Sequence, residues 1–356
     1  MSLSPPSPMP HTAPVIWTDP AREAAFNTWL QGLSAHSLQS VTLRLASADA
    51  SFRRYLRVDS ANGTRIIMDA PPEKEDSKPF VDVDRLMADA GLTVPQVLDW
   101  DVAHGFLLLS DMGDKTMMQA MVRDNPQANE TSYLQAVDAL ISWQLASKPG
   151  ILPPYDEALL RRELELFPDW YLARHRGIAV EGDVRSTLDT AFKHIVAHNL
   201  MAPSVYVHRD FMPRNLMAGN PPGVLDFQDA VYGPITYDIA SLMRDAFLTW
   251  EEDFVLDITI RYWEKARKAG LPVGDDFGEF YLGVEWMGLQ RHLKIAGIFA
   301  RLTLRDGKPQ YLADTPRFID YIRATCSRYR ELKPLLRLID RVEGIEAATG
   351  FAYGRV

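Results

Sequence analysis

Cysteine is almost absent: Cys326 is the only one among 356 residues. A lone cysteine closes no internal disulfide, so a reducing, cytoplasmic setting is expected. With no histidine set patterned around it, Cys326 reads as a buried helix residue rather than a nucleophile. Long apolar runs are missing too. None approaches the roughly 20 residues that span a bilayer, so no membrane partner is expected. Positive charge is short, with 38 Lys and Arg against 47 Asp and Glu and a formal net charge of −9. Backbone binding of nucleic acid wants a basic surface, which excludes nucleic acid as the main partner. There is no solenoid repeat, heptad array or extended low-complexity segment. Residues 1–20 carry several prolines and neither a charged n-region nor an apolar h-region. They are expected to form a disordered or extended tail, not a signal peptide.

What is present is a chain too long for one small core, 47% hydrophobic and 24% charged, hence globular with two lobes or domains. After an amphipathic helix over 21–33, strands are expected over 41–45, 52–58 and 65–68. Ser60-Ala-Asn62-Gly63 supplies a hairpin turn. A helix over 80–90, stopped by Gly91, precedes strands over 95–100 and 105–109. Beyond Lys115 the apolar spacing turns helical: Leu134, Val137, Leu140, Ile141 and Leu145 share a face. Further helices are expected over 159–172, 184–198, 281–302 and 318–339, with a loop-rich stretch over 206–234. The fold class is therefore α+β. It has a β-rich, nucleotide-binding N-lobe over 21–112 and a larger helical C-lobe over 113–356 that holds the catalytic loop and substrate site. Two lobes joined by a linker near Ser110–Lys115 leave a cleft of the kind ligands use.

The chemistry-bearing patch is Val205-Tyr-Val-His208-Arg209-Asp210-Phe-Met-Pro-Arg-Asn215-Leu-Met217, followed eleven residues after Asn215 by Asp226-Phe227 at the end of a short apolar strand. Phosphoryl transfer asks for a carboxylate that orients and accepts the proton of the attacking hydroxyl. It also asks for hard oxygen ligands to Mg²⁺ on the phosphates. Asp210 fits the first role as the catalytic residue. Asn215 and Asp226 fit the second as metal ligands. ATP and Mg²⁺ are thus the expected cofactors. His208 reads as a buttress of the loop, and Arg209 as either structural or facing a charge.

These residues resemble the aminoglycoside phosphotransferase and choline-kinase-like branch of the kinase superfamily, over nearly the whole chain after the tail. The resemblance implies a bilobal protein-kinase-like fold. Pro234-Ile-Thr-Tyr-Asp238 resembles the family's stretch after its metal aspartate, which implies that Asp238 caps the next helix and steadies the catalytic loop. Four stretches look closer to the anomeric sugar kinases of bacterial cell-wall recycling. They are Ala46-Ser-Ala-Asp-Ala-Ser-Phe-Arg-Arg-Tyr55, Met68-Asp-Ala-Pro-Pro-Glu-Lys-Glu-Asp76, Asp226-Phe-Gln-Asp-Ala-Val-Tyr-Gly-Pro234 and Gln290-Arg-His-Leu-Lys-Ile-Ala-Gly-Ile-Phe-Ala-Arg301. That likeness implies a small-molecule amino sugar, N-acetylmuramate or N-acetylglucosamine, phosphorylated on its C1 hydroxyl in peptidoglycan recycling. A monomer is expected.

The pattern departs from the family where phosphates should be anchored. The loop Ser47-Ala-Asp-Ala-Ser51 lacks the usual glycines, though Ser51 can donate to a phosphate. The third strand carries Met68 where a lysine is expected, and the next helix offers Asp82 and Asp84 rather than a clear glutamate. Lys74, Arg53 or Arg54 is left to supply the missing charge. Asp111 and Gly113, in the linker, are the nucleotide-side candidates that would present backbone groups to adenine. On the substrate side, Glu285, Trp286, Arg291 and Lys294 share one expected helix. Arg291 and Lys294 either meet a carboxylated sugar or form a solvent-facing basic stripe. Asp169-Trp170-Tyr171 offers further aromatic surface. Three readings follow: an amino-sugar kinase; a kinase for an aminoglycoside, choline or homoserine; or a nucleotide-binding pseudokinase. The intact Asp210, Asn215 and Asp226 weigh against the last.

Overall fold

A computed structural model describes residues 15–48 and 52–345, and the structural statements that follow concern those residues. Residues 1–14 of the expected tail, and Ser51, lie outside them. The chain divides into two compact units. The first runs to Met117 and adds Leu216–Asp229; the second holds Met118–Asn215 and the chain from Ala230 onward. The expected division at 112/113 thus falls early and misses the return of 216–229.

The first unit opens with α1 (Pro20–Gly32). Its start is set locally: Asp19 accepts from the amides of Ala21 and Arg22, and Pro20 occupies a first-turn position where no amide donor is needed. So the chain is already ordered before residue 21. Five antiparallel strands follow: β1 (Leu38–Ala48), β2 (Arg54–Ser60), β3 (Gly63–Asp69), β4 (Val97–Asp101) and β5 (Phe106–Ser110), in the order β1-β2-β3-β5-β4. The turn before Gly63 forms as expected, with Gly63 at φ +95°. The helix α2 (Lys78–Asp89) is inserted between β3 and β4. Leu56, Ile67 and Leu108 line up across three paired strands. With Val58 and Phe106 they bury against Phe26 and Leu30 of α1, and Val15 and Trp17 pack on the same cluster. Each such aliphatic burial stabilises by about 1.5–3 kcal/mol.

One carboxylate ties that helix to the sheet. Asp69, 1% exposed, accepts from Nε of Arg22 at 2.8 Å and Nε of Arg54 at 2.9 Å. Arg22 lies over Phe106 and Arg54 over Trp17. Arg54 is therefore already paired within the first unit. The first unit is completed by β7 (Leu216–Met217) and β8 (Gly223–Val224). The amide of Val224 donates to Thr93 O at 2.8 Å and that of Ala218 to Lys115 O at 2.9 Å. These bonds draw 216–229 away from the helical sequence around it.

The chain enters the second unit through the short α3 (Met117–Ala120). There follow α4 (Glu130–Leu145), α5 (Glu157–Leu164) and α6 (Gly182–Asn199). A two-stranded ribbon pairs β6 (Ser204–Val207) with β9 (Val231–Pro234). Then come α7 (Thr236–Met243), α8 (Glu252–Lys268), α9 (Phe277–Leu304), α10 (Thr315–Arg328) and α11 (Lys333–Glu343). The expected helix over 159–172 stops at Leu164 and resumes as a π-helical segment, Phe167–His175. Pro168 has no amide to offer the carbonyl of Leu164, so the ordinary ladder cannot continue. The expected helix over 318–339 is likewise two helices, because Pro334 at the start of α11 excludes an unbroken run.

α9 is the spine of the second unit. Its 28 residues span about 42 Å. It packs on α5, α6, α7, α10 and the π-helical segment. A Cβ on Gly297 would stand 2.3 Å from Leu166 O, so only glycine admits that crossing. From Trp286 to Ala300 the helix is buried on nearly every side, including Gln290, Arg291, His292 and Lys294. The solvent-facing basic stripe is therefore not present.

Burial also leaves one carboxyl group of the first unit poorly supported. On α2, Phe80, Val81, Val83 and Met87 are buried and so is Asp84, at 5% exposure. Asp82, by contrast, pairs with Lys78 at the surface. Asp84 Oδ1 has no hydrogen-bond partner among the described residues. Burial pushes its pKa up to about 7, against a small opposing pull from Arg85. A raised folded-state pKa means stability present below the unfolded value near 4 and lost as pH rises through about 7. The stability advantage of Asp84→Asn over the parent is expected to grow by about 2 kcal/mol between pH 5 and pH 7. Urea melts at both pH values would show it; a constant difference would mean that Asp84 is already ionised at pH 5.

Candidate active site

The catalytic loop leaves β6 as His208-Arg209-Asp210 and closes through a 3₁₀ turn, Pro213–Asn215. Its backbone is unusual. Arg209 sits at φ +77°, a left-handed conformation that costs a non-glycine residue about 1–2 kcal/mol. Asp238 in the first turn of α7 holds that turn: its carboxylate accepts from the amide of His208 at 2.7 Å and of Arg209 at 3.0 Å. Asp238 is fully buried, and burial pushes its pKa up to about 6 despite the opposing pull of His208, Arg209 and Arg291. The expectation that Asp238 steadies the loop matches these bonds. Its expected helix-capping role does not, since it lies inside α7. His208, fully buried, accepts from the amide of Asp210 at 3.2 Å, as a buttress would. Asn215 Nδ2 donates to Asp210 O at 2.9 Å and closes the loop on itself.

Beside Asp210 lies a buried charge network. Glu163, on α5, forms an ion pair with Arg209 and a second with Lys294 at 2.9 Å, and accepts from the Tyr155 hydroxyl. Burial works to raise the Glu163 pKa, but Lys294 and Arg209 outweigh it and hold the group well below the usual carboxylate range. Lys294 also donates to the Tyr237 hydroxyl at 3.2 Å. Burial opposes its charge, yet Glu163, Tyr237 and Asp210 raise its pKa above the ordinary value. So Lys294 stands within electrostatic reach of Asp210 while sharing the single charge of Glu163 with Arg209. Arg209, left open by the sequence, meets a charge. The partner that resolves it, Glu163, carries no local signal at all.

The other substrate-side residues of α9 are placed differently. Arg291 is 1% exposed; its guanidinium lies over the Tyr237 ring and is drawn to the carboxylates of Asp238 and Asp245. Trp286 stacks on His198 in the core, and Glu285 bonds Arg328 and Tyr329. Trp170 lies under Arg174. None of Glu285, Trp286 and Arg291 offers an exposed polar group to a sugar.

In the first unit, Asp226 follows β8 at φ +63° and accepts from Gln228 Nε2 at 2.9 Å. Phe227 is buried on Phe80 of α2, with ring centroids 4.9 Å apart. Strained backbone of this kind collects at functional positions. Asp111, 5% exposed at its side chain, pairs with Arg57 at 2.7 Å and accepts from Thr64 Oγ1 at 2.6 Å and Gly113 N at 2.9 Å. Arg57 also donates to Gly113 O at 2.8 Å. Asp111 and Gly113 thus form an internally bonded linker, and Gly113 at φ +101° suits only glycine. Arg57, the residue that holds it, was not singled out from the sequence. Arg53 pairs with Glu75 at 3.7 Å, and exposed Lys74 lies 5.2 Å over the Phe52 ring.

The network around Glu163 makes a quantitative expectation. Glu163→Gln leaves two buried cations facing each other and should cost about 3 kcal/mol. Adding Lys294→Met removes one of them and should recover part of that loss. Denaturant unfolding of the two single variants and the double variant measures the coupling; strict additivity would show that the charges are independent.

Residues 42–276 match the phosphotransferase enzyme family. An N-acetylmuramate/N-acetylglucosamine kinase of Neisseria meningitidis serogroup B is 46% identical over 93% of this chain and 99% of its own length. The kinase of the same name from Pseudomonas aeruginosa is also 46% identical, over 93% of this chain and all of its own. Among solved structures, an ADP-bound aminoglycoside phosphotransferase aligns with a TM-score of 0.57 at 14% identity, over 85% of this chain and 97% of that one. An ethanolamine kinase of Plasmodium vivax aligns with a TM-score of 0.57 at 12% identity, over 88% of each chain. At such identities these two speak for the fold alone, the kinase-like α+β fold that the resemblance implied. With a strained His208-Arg209-Asp210 turn held by Asp238, and likeness along nearly its whole length, the chain belongs to the phosphotransferase enzyme family.

Proposed function

We propose that this protein is an ATP-dependent kinase that phosphorylates the anomeric hydroxyl of N-acetylmuramate, N-acetylglucosamine or both, in the recycling of peptidoglycan sugars. The observation that carries the acceptor is the 46% identity, over 93% of the chain, to kinases of that name. The surroundings of the loop agree. The charges beside Asp210 are the cations Lys294 and Arg209, and Glu163 offsets one of those two charges. An aminoglycoside or choline is cationic and wants an open cluster of carboxylates, whereas Asp238 and Asp245 are fully buried.

In this reading Asp210 orients the sugar C1 hydroxyl and accepts its proton as the oxygen attacks the γ-phosphorus of ATP. The γ-phosphoryl group passes to O1, and ADP leaves. Asp238, His208 and Asn215 keep Asp210 in place before the substrate arrives, so little ordering is left for the reaction step. Asn215 and Asp226 are the proposed protein ligands for Mg²⁺. One amide oxygen and one carboxylate form the kind of sparse, hard donor set this ion takes alongside phosphates. Bound there, Mg²⁺ would neutralise phosphate charge. Arg53, Lys74 and Ser51 remain the proposed phosphate-side groups, with Asp111 and Gly113 shaping the linker that would meet the adenine.

Two variants separate the roles. Asp210→Asn should lower turnover by about 100- to 10,000-fold while leaving the affinity for ATP nearly intact. Asp226→Ala should in addition weaken binding of Mg²⁺-ATP. Equal loss of nucleotide affinity in both would contradict the division of labour. Labelled ATP offered with each sugar and with its methyl glycoside tests the acceptor: transfer to a sugar blocked at C1 would rule out anomeric phosphorylation.

A further inference from the structure

Among the cations that the second unit gathers near its catalytic loop, two share a single carboxylate and a third is fully enclosed. Arg209 and Lys294 share Glu163. Arg291, 1% exposed, lies over Tyr237 and faces the buried carboxylates of Asp238 and Asp245. Arg214 is different. It sits in the loop itself, four residues after Asp210 and directly before Asn215. It is half-buried, and no described residue forms an ion pair or a hydrogen bond with its guanidinium. The ring of Phe247 lies beneath it, with its centroid 4.6 Å from Arg214 Cζ.

That contact makes the guanidinium a prepared group rather than a loose one. Phe247 is itself braced by Phe299, with centroids 5.9 Å apart. The fully buried Asp245, two residues before Phe247, accepts from the Phe247 amide at 3.1 Å and attracts Arg214 without bonding it. A guanidinium whose carbon lies over a ring, with no hydrogen bond to a described residue, keeps its N–H donors for a ligand. That planar fork matches a carboxylate. Its direction follows from the 3₁₀ turn. At three residues per turn, neighbouring side chains diverge by about 120°. Asn215 bonds back to Asp210, whereas Arg214 points to the segment after α7. Arg214 is thus aimed away from the neighbour proposed to hold the metal and its phosphates.

Resting on the amino-sugar reading above, we propose that Arg214 is the acceptor-side carboxylate anchor and reads the lactyl carboxylate that N-acetylmuramate carries and N-acetylglucosamine lacks. This moves the anionic contact from Arg291 and Lys294, which the fold buries against Tyr237 or pairs with Glu163, to a residue of the catalytic loop. A charge-assisted, two-pronged contact of this kind is worth a factor on the order of 10 to 100 in binding.

The test is the ratio of kcat/KM for N-acetylmuramate to that for N-acetylglucosamine, measured with the full chain for the parent, Arg214→Gln and Arg214→Lys, together with the KM for ATP. Arg214→Gln should lower the ratio by about 10- to 100-fold, mostly through the KM for N-acetylmuramate. Arg214→Lys should restore part of it, since the charge remains and the fork does not. A ratio that stays at the parental value would overturn the proposal, including the case in which both sugars lose activity alike. So would a rise in the KM for ATP as the main effect, which would make Arg214 a phosphate ligand. A parent enzyme that phosphorylates neither sugar would overturn the amino-sugar reading itself. A parent active on both sugars with an unmoved ratio would overturn only the role of Arg214.

Discussion

The carboxylate of Asp238 holds the amides of His208 and Arg209 on one side of the chain. Two successive amides converge on one acceptor only if the backbone between them turns sharply, and the left-handed φ of Arg209 is that turn. The bonds offset the strain. They also set where Asp210 begins, so the position of the reacting group depends on a residue 30 positions away from His208. The anchor is firm because all of α7 from Thr236 to Met243 is buried. Burying a carboxylate there has its own cost, visible in its raised pKa. His208, Arg209 and Arg291 reduce that cost, which gives Arg291 a structural role that its place on a basic helix face did not suggest.

The same logic extends outward. Buried carboxylates and cations near the loop are drawn together from elements distant in sequence. Glu163 links α5 to Arg209 in the loop and to Lys294 on α9. Isolated, each of these ions would cost several kcal/mol to desolvate; together they form a network that fixes relative positions more than it adds stability. In the first unit, Asp69 with its two arginines and Asp111 with Arg57 repeat the arrangement. They lock the start of the chain and the linker, and they account for arginines that composition alone would leave as phosphate ligands. Against this background Arg214, half-buried in the catalytic loop itself rather than enclosed like Arg291, has no ion pair among the described residues.

Much of the fold was legible because it depends on near neighbours along the chain. The Gly63 turn and the Gly91 stop each express preferences over a few residues. The errors arose where one residue breaks a period. Pro168 and Pro334 interrupt patterns whose apolar spacing reads as continuous helix. The division between units was missed for a different reason: the bonds from Val224 to Thr93 and from Ala218 to Lys115 join segments about a hundred residues apart.

By itself, then, the sequence determined the reaction class and the kinase-like α+β architecture, because spacing within one loop and its following strand is a local property. Asp210, Asn215 and Asp226 could be proposed from it as catalytic residue and metal ligands. Which cations remain available was decided only by tertiary structure. Arg54, Arg57, Arg291 and Lys294 look equally free as residues in a chain. Each is taken up by a ring or a carboxylate from another element: Asp69, Asp111, Tyr237 and Glu163. Charge pairing in a buried interior falls off steeply with distance and is set by packing, and no periodicity in the sequence encodes it.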